Sequence, residues 1–376
     1  MKKITSIVLC SMFASLLNAQ QDSTTTAAPK DGQNQFLIMG NAQALFFADK
    51  DNVQFTDVDF KPIFLWKLND RLFVESEVEI ETGEGSPDLG LEYANMCYKL
   101  NPYMIFHAGR FLPKFGAYRG RMAEGFLNRF ATDPAGWGDG GIGAMNEVGV
   151  GLQGGIQVGL CKMNYDLYLS NGPQLLPGSM DAPDEAGQFE YEAYIDNNKN
   201  KAIGGRVGFL PFPNSCMEIG YSFQQAAKTG EAGSAYENVG VFMQAVDMDY
   251  FHKISQLKSI IRINGEWKQL TAGDATYYLP DSLATPYTFK NESSCYYGEV
   301  TLRPAFLENK ILSRFEVGGR YSQFTRPTDA LWGGSDLHRT EVSLDYWMNW
   351  NSLIKLTWMR QDDAPDGYYA QIVFGF

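Results

Sequence analysis

The sequence predicts an all-β protein, a transmembrane antiparallel β-barrel of about 16 strands. Three observations predict it. Side-chain polarity alternates with a period of two nearly everywhere after Phe36, the alternating segments run to ten residues or more, and short and long connections alternate between them. A sheet set in lipid can leave no backbone N–H or C=O unpaired, so it must close on itself.

The segments fall in order at roughly 36–48, 56–68, 71–82, 86–99, 102–112, 145–157, 160–171, 201–210, 215–227, 236–250, 257–271, 293–304, 311–325, 338–349, 352–361 and 368–376. In Arg71–Glu81, Leu72, Val74, Ser76, Val78 and Ile80 share one side, and Glu75, Glu77, Glu79 and Glu81 the other. In Lys162–Ser170, Met163, Tyr165, Leu167 and Leu169 oppose Asn164, Asp166 and Ser170. Ser259–Gln269 sets Ile261, Ile263 and Trp267 against Arg262, Asn264, Glu266 and Lys268. Leu312–Ser322 sets Phe315, Val317 and Tyr321 against Arg314, Glu316 and Arg320. Such strands have one dry and one wet face. Soluble strands cluster near ~5–6 residues, whereas crossing the hydrocarbon takes about 9–11, which sets aside a β-sandwich or propeller. Short connections at Asn69-Asp70, Leu100-Asn101, Val158-Gly159, Pro211–Asn214 and Trp350-Asn351 suit periplasmic turns. The stretches 113–144, 172–200 and 272–292 suit outer loops.

The last strand places Tyr368, Ala370, Ile372, Phe374 and Phe376 on one face, similar to the signal read by barrel-assembly machinery. Aromatics near strand ends, namely Phe46-Phe47, Trp66, Tyr93, Trp267, Tyr346 and Trp347, suit interfacial girdles. Met1–Ala19 has the form of a secretory signal: Lys2-Lys3, then an apolar run, then Asn18-Ala19 before Gln20. The polar stretch 20–35 is a flexible lead-in, and 36–376 is the barrel. Bacterial outer-membrane localisation follows as an expectation.

Acidic residues outnumber basic ones 44 to 31, a formal charge of −13 that excludes a nucleic-acid binder. Three histidines (His107, His252, His338) offer no partner set for a barrel-embedded phospholipase, so no enzyme is expected. Beyond Cys10 of the leader, Cys97, Cys161, Cys216 and Cys295 contain no C-x-x-C and suit single half-buried thiols. No cofactor or metal is implied. The run Gly149–Gly154 matches G-x-G-x-x-G, but alternation rather than a helix follows it. Asp181, Asp184, Glu185, Glu190, Glu192 and Asp196 read as a solvated acidic outer loop.

Thr56–Ile80 followed by Tyr103–Gly116 resembles the phosphate-selective porin O and P family. Ala108, Gly109, Arg110, Phe111, Pro113, Phe115 and Gly116 carry the match, with Lys114 inserted. The resemblance implies a homotrimeric pore with the third outer loop folded into the lumen, set among outer-membrane lipid and lipopolysaccharide. That loop, 113–144, contains Lys114, Arg119, Arg121 and Arg129 just after Arg110, with Glu124, Asp133 and Asp139. Met122, Phe126 and Phe130 recur at helical spacing, which predicts a short amphipathic helix over Arg119–Phe130 with Arg121, Glu124 and Asn128 facing the lumen. Either these charges form a basic constriction or they solvate a loop and pair with the wall. Glu75, Glu77 and Glu79 would form an acidic lumen wall, with Arg262, Lys268, Arg314 and Arg320 on a basic one. The expected function is passive diffusion of small hydrophilic solutes and ions. A phosphate- or anion-selective channel and a non-conducting structural or adhesin barrel are the alternatives.

Overall fold

The computed structural model describes residues 34–82, 87–123, 125–138, 140–280, 284–362 and 364–376. The leader, nearly all of the lead-in, Glu124 and Asp139 lie outside the described residues.

The chain forms β1 (Gln35–Ala48), β2 (Val53–Lys67), β3 (Leu72–Thr82), β4 (Pro87–Asn101), β5 (Met104–Phe111), β6 (Glu147–Val158) and β7 (Cys161–Ser170). The two-residue strands β8 (Gln174–Leu175) and β9 (Phe189–Glu190) pair within one outer loop. Then come β10 (Ala202–Leu210), β11 (Met217–Ala226), β12 (Val241–Ile254) and β13 (Ser259–Ala272). A second loop hairpin, β14 (Thr276–Tyr278) and β15 (Pro286–Thr288), precedes β16 (Glu292–Arg303), β17 (Phe315–Thr325), β18 (Leu337–Trp347), β19 (Ser352–Gln361) and β20 (Gly367–Gly375). The sixteen strands outside the two loop hairpins make one closed barrel, each antiparallel to its neighbours, with β20 pairing back onto β1. All sixteen coincide with the alternating segments of the sequence, with boundaries shifted by a few residues. No helix among the described residues is long and apolar enough to cross a membrane.

The alternation places the two side-chain sets on opposite faces. Outward stand Leu167, Leu169, Val207, Phe209, Val246, Val300, Val342 and Leu356, all exposed. Inward stand Arg206, Asp247, Glu266, Glu299, Arg320, Glu341 and Lys355, all buried. An apolar exterior around a charged interior suits lipid outside and polar contents within. The first outer connection is short, Asp49–Asn52, because Asp49 Oδ1 accepts from the N–H of both Asp51 (2.7 Å) and Asn52 (2.6 Å) and closes the turn at once. The four thiols Cys97, Cys161, Cys216 and Cys295 are unpaired.

Candidate functional site: the barrel interior

The interior is shaped by the 112–146 segment, the long connection between β5 and β6. Among the described residues the expected helix over Arg119–Phe130 is absent. One π-helical turn spans Tyr118–Met122, and the rest is irregular. Gly120 and Gly125 interrupt the run, and glycine in a helix interior costs roughly 1 kcal/mol relative to alanine. Asn128, expected to face the lumen, is buried, donating to Tyr118 Oη and to Thr132 O, both at 3.1 Å.

Irregular backbone must find partners elsewhere, and here the barrel wall supplies them. Glu266 Oε2 accepts from the N–H of Ala117 (2.7 Å) and Tyr118 (2.8 Å). Ser222, Thr357 and Ser322 accept from Gly116, Ala131 and Ala135, each at 3.0 Å. Cationic wall side chains serve the carbonyls. Lys268 donates to Ile142 O (3.0 Å), Lys355 to Phe130 O (3.1 Å) and Arg320 to Thr132 O (2.6 Å). Arg339 donates to Asp133 O at 2.5 Å. Apolar contacts add to this. Tyr118, Trp137 and Tyr297 meet edge-to-face, with Tyr297 5.5 Å from Tyr118 and 5.0 Å from Trp137. Burial drives the Tyr118 hydroxyl far above its ordinary range, reinforced by the Asp133 carboxylate it donates to at 2.7 Å.

These contacts all lie on the wall from β11 to β19. That wall, with the adjoining β10, is neutralised internally. Arg206 joins Glu218 (2.7 Å) and Asp247 (2.5 Å), and Arg320 joins Glu341 (2.6 Å) and Glu299 (3.8 Å). Lys268 stands 3.5 Å from Glu266.

The β1–β4 wall differs. Between it and the loop lies a cavity of about 360 Å³ lined by Lys61, Glu77, Glu79, Glu92 and Tyr93 on the strands and by Arg119, Gly120 and Asp133 on the loop. Lys61 pairs with Glu79. Glu75 lines an adjoining cavity of about 180 Å³ with Asn95, His107, Lys114 and Asp166. Acids thus line one side of an open space, with Arg119 across from them.

The sequence-nominated basic residues are distributed as follows. Arg110 is buried, its Nε donating to Leu91 O and Glu92 O at 3.0 Å and its guanidinium 4.0 Å from the Tyr194 ring centroid. Lys114 donates to Gln153 Oε1 (2.5 Å) and lies 3.5 Å from Asp166. Arg121 makes two bonds to Glu218, at 2.6 and 3.0 Å. Arg129 is buried against Glu316 at 3.2 Å. Lys268 and Arg320 are committed to the loop, whereas Arg262 and Arg314 line a separate cavity at the short-turn end. Only Arg119, half-buried, faces the β1–β4 cavity, 3.5 Å from Glu192. Glu192 is therefore docked rather than solvated, and burial raises its carboxyl pKa even though Arg119 opposes the shift.

Among the expected girdle aromatics, Trp347 is buried and Tyr93 lines the cavity. Both fall on the odd-numbered inward face of their strands, so strict parity would have separated them from outward Trp66 and Trp267. Arg206, Glu218, Asp247 and Lys355 were not singled out from the sequence, although the same parity places each inside. In the glycine run, Gly149 and Gly151 lie on the inward face and Gly154 on the outward one, beside the Tyr103 carbonyl. On β20, Tyr368, Phe374 and Phe376 are exposed.

No protein-family model matches the chain, and no curated relative matches its sequence. Solved structures do match its fold. OmpF of Salmonella typhi, in complex with daunomycin, aligns over 91% of this chain and 98% of its own, with a TM-score of 0.60 and 11% identity. The outer membrane channel DcaP of Acinetobacter baumannii aligns over 93% and 100%, with a TM-score of 0.58 and 11% identity. An anion-selective porin from Comamonas acidovorans aligns over 92% and 100%, with a TM-score of 0.52 and 12% identity. At these identities the likeness establishes the fold: the chain is a β-barrel built like these proteins.

Proposed function

We propose that the protein is a bacterial outer-membrane porin that lets small hydrophilic solutes and ions diffuse through a charged aqueous channel. The carrying observation is the asymmetric interior. The loop is bound to the β11–β19 wall and leaves a charged cavity along β1–β4, inside a barrel whose exterior is apolar. Carboxylates of Glu77, Glu79 and Glu92 opposite Arg119 set a transverse field across the narrow region, which orients dipolar solutes and water. Fold likeness to OmpF and to DcaP, described as an outer membrane channel, supports the reading.

A second reading is an anion-selective channel, phosphate-selective as the resemblance implies. The likeness to an anion-selective porin and the arginines gathered at the short-turn end favour it. We further assign Met1–Ala19 as a cleaved leader and the β20 face with Tyr368, Ile372, Phe374 and Phe376 as the barrel-assembly signal. The assembly is a homotrimer among outer-membrane lipid and lipopolysaccharide.

The test is reconstitution in a planar bilayer, measuring conductance and zero-current potential across a KCl gradient before and after adding phosphate. A stable conductance with weak or cationic preference supports the general channel. An anionic potential with phosphate block supports the second reading. No conductance from folded protein overturns both and leaves a structural or adhesin barrel.

A further inference from the structure

At the short-turn end of the barrel, beneath the 112–146 segment, lies another cavity of about 360 Å³. Four guanidinium groups line it, those of Arg129, Arg262, Arg303 and Arg314, against one carboxylate, Glu316. That carboxylate is already engaged. It accepts from Thr301 Oγ1 at 2.7 Å and Trp347 Nε1 at 2.8 Å, and pairs with Arg129 at 3.2 Å. Trp347 is held between Arg129 and Arg303, each guanidinium carbon 4.7 Å from the ring centroid. Among the described residues neither Arg262 nor Arg314 forms an ion pair, and Arg262 has only the Phe251 ring at 5.5 Å. Glu316, Asp249 and Glu299 act on Arg262 through space without ion-pair contact.

Two unpaired guanidinium groups beside a saturated carboxylate favour an anion, and their planar forks match a carboxylate. Apart from Asn349 the remaining lining is apolar: Phe251 and Ile260 on the strands, and Met348 and Trp350 on the turn, Trp350 83% exposed. An inorganic oxyanion would use the arginines and leave those surfaces in water. A neutral aromatic would do the reverse. A ring bearing carboxylate groups uses both, and the volume holds one or two rings.

We propose that this cavity binds small aromatic carboxylates, with Arg262 and Arg314 receiving the carboxylate and Phe251 and Trp350 the ring. The placement at the periplasmic mouth rests on the channel reading; the binding itself does not.

The test is titration calorimetry on the folded protein in detergent with isophthalate, citrate, inorganic phosphate and benzamide. The expected result is one isophthalate site, with binding about tenfold or more tighter than for the other three. Each of Arg262→Gln and Arg314→Gln should weaken isophthalate about tenfold, the scale of a lost charge-assisted hydrogen bond. Lys310→Gln removes a charge outside the cavity lining and should change affinity less than about twofold, as screened surface charges do. If Arg262→Gln fails to fold, Arg314→Gln at the exposed rim decides. Isophthalate binding no tighter than citrate or benzamide, or a Lys310→Gln effect equal to that of Arg314→Gln, overturns the proposal. Conductance in plain KCl is recorded on the same samples, so a failed site and a failed channel are told apart.

Discussion

The two walls of the barrel carry the same residue types and use them oppositely. On β11–β19, Glu266, Glu341, Arg320, Lys268 and Lys355 are spent on backbone groups of the 112–146 segment and on one another. On β1–β4, Glu77, Glu79 and Glu92 line open space. A carboxylate on the loop-bearing wall is therefore structural, whereas the carboxylates of the facing wall, though Glu79 pairs with Lys61 and Glu92 accepts from Asn146 at 2.6 Å, border the open space. The difference arises because irregular backbone inside a barrel must be satisfied somewhere, and satisfying it consumes the charges of whichever wall it meets.

The largest expected effect comes from breaking the bound wall. Glu266→Ala leaves the N–H groups of Ala117 and Tyr118 without their acceptor and Lys268 buried without its carboxylate. Breaking a buried pair costs about 3–5 kcal/mol. The unfolding temperature, read from heat-modifiable gel mobility, should drop, and single-channel current should become noisier as the loop detaches. An unchanged transition temperature with a quiet channel would mean that the loop is held by packing alone.

Substitution on the open wall should behave differently. Glu79→Gln with Glu92→Gln should lower the cation-to-anion permeability ratio by about twofold or more through loss of local field. Stability should stay within about 1 kcal/mol, the scale of a partly solvated pair. The zero-current potential in a salt gradient and the gel transition report the two quantities separately.

The smallest effect concerns Glu192, where the outer loop containing β8 and β9 reaches Arg119. Burial raises its carboxyl pKa, so the folded state binds this proton more tightly than the unfolded state. Stability from this group falls as pH rises from the ordinary carboxylate range through the raised value, and acid favours the docked form. Glu192→Gln should flatten that part of the stability–pH profile. A profile identical to the parent's would show that Glu192 does not report on docking.

The strands were legible in the sequence because period two is a local property: Leu72 to Glu81 announces its two faces within ten residues. The same parity fixes the inward position of Arg206, Asp247 and Lys355. The course of the loop was not legible. Its anchors join Ala131 to Thr357 across 226 positions and Ala117 to Glu266 across 149, and no periodic pattern within 112–146 encodes them. The spacing of Met122, Phe126 and Phe130 imitated a helix. Phe130 is buried against the wall, and Arg320 stacks on it at 4.3 Å. For the same reason the sequence could nominate Lys268 and Arg320 as lumen charges without revealing that the loop consumes them.

The most direct test of the account is thiol modification of Glu79→Cys in a planar bilayer. A bulky, charged, membrane-impermeant methanethiosulfonate reagent is added during current recording, with the parent as control because Cys97 and Cys295 are buried and Cys161 and Cys216 half-buried. The account predicts a stepwise, irreversible fall in current for the variant and none for the parent. A conducting Glu79→Cys channel whose thiol is modified without any change in current would place the permeation path elsewhere and contradict it.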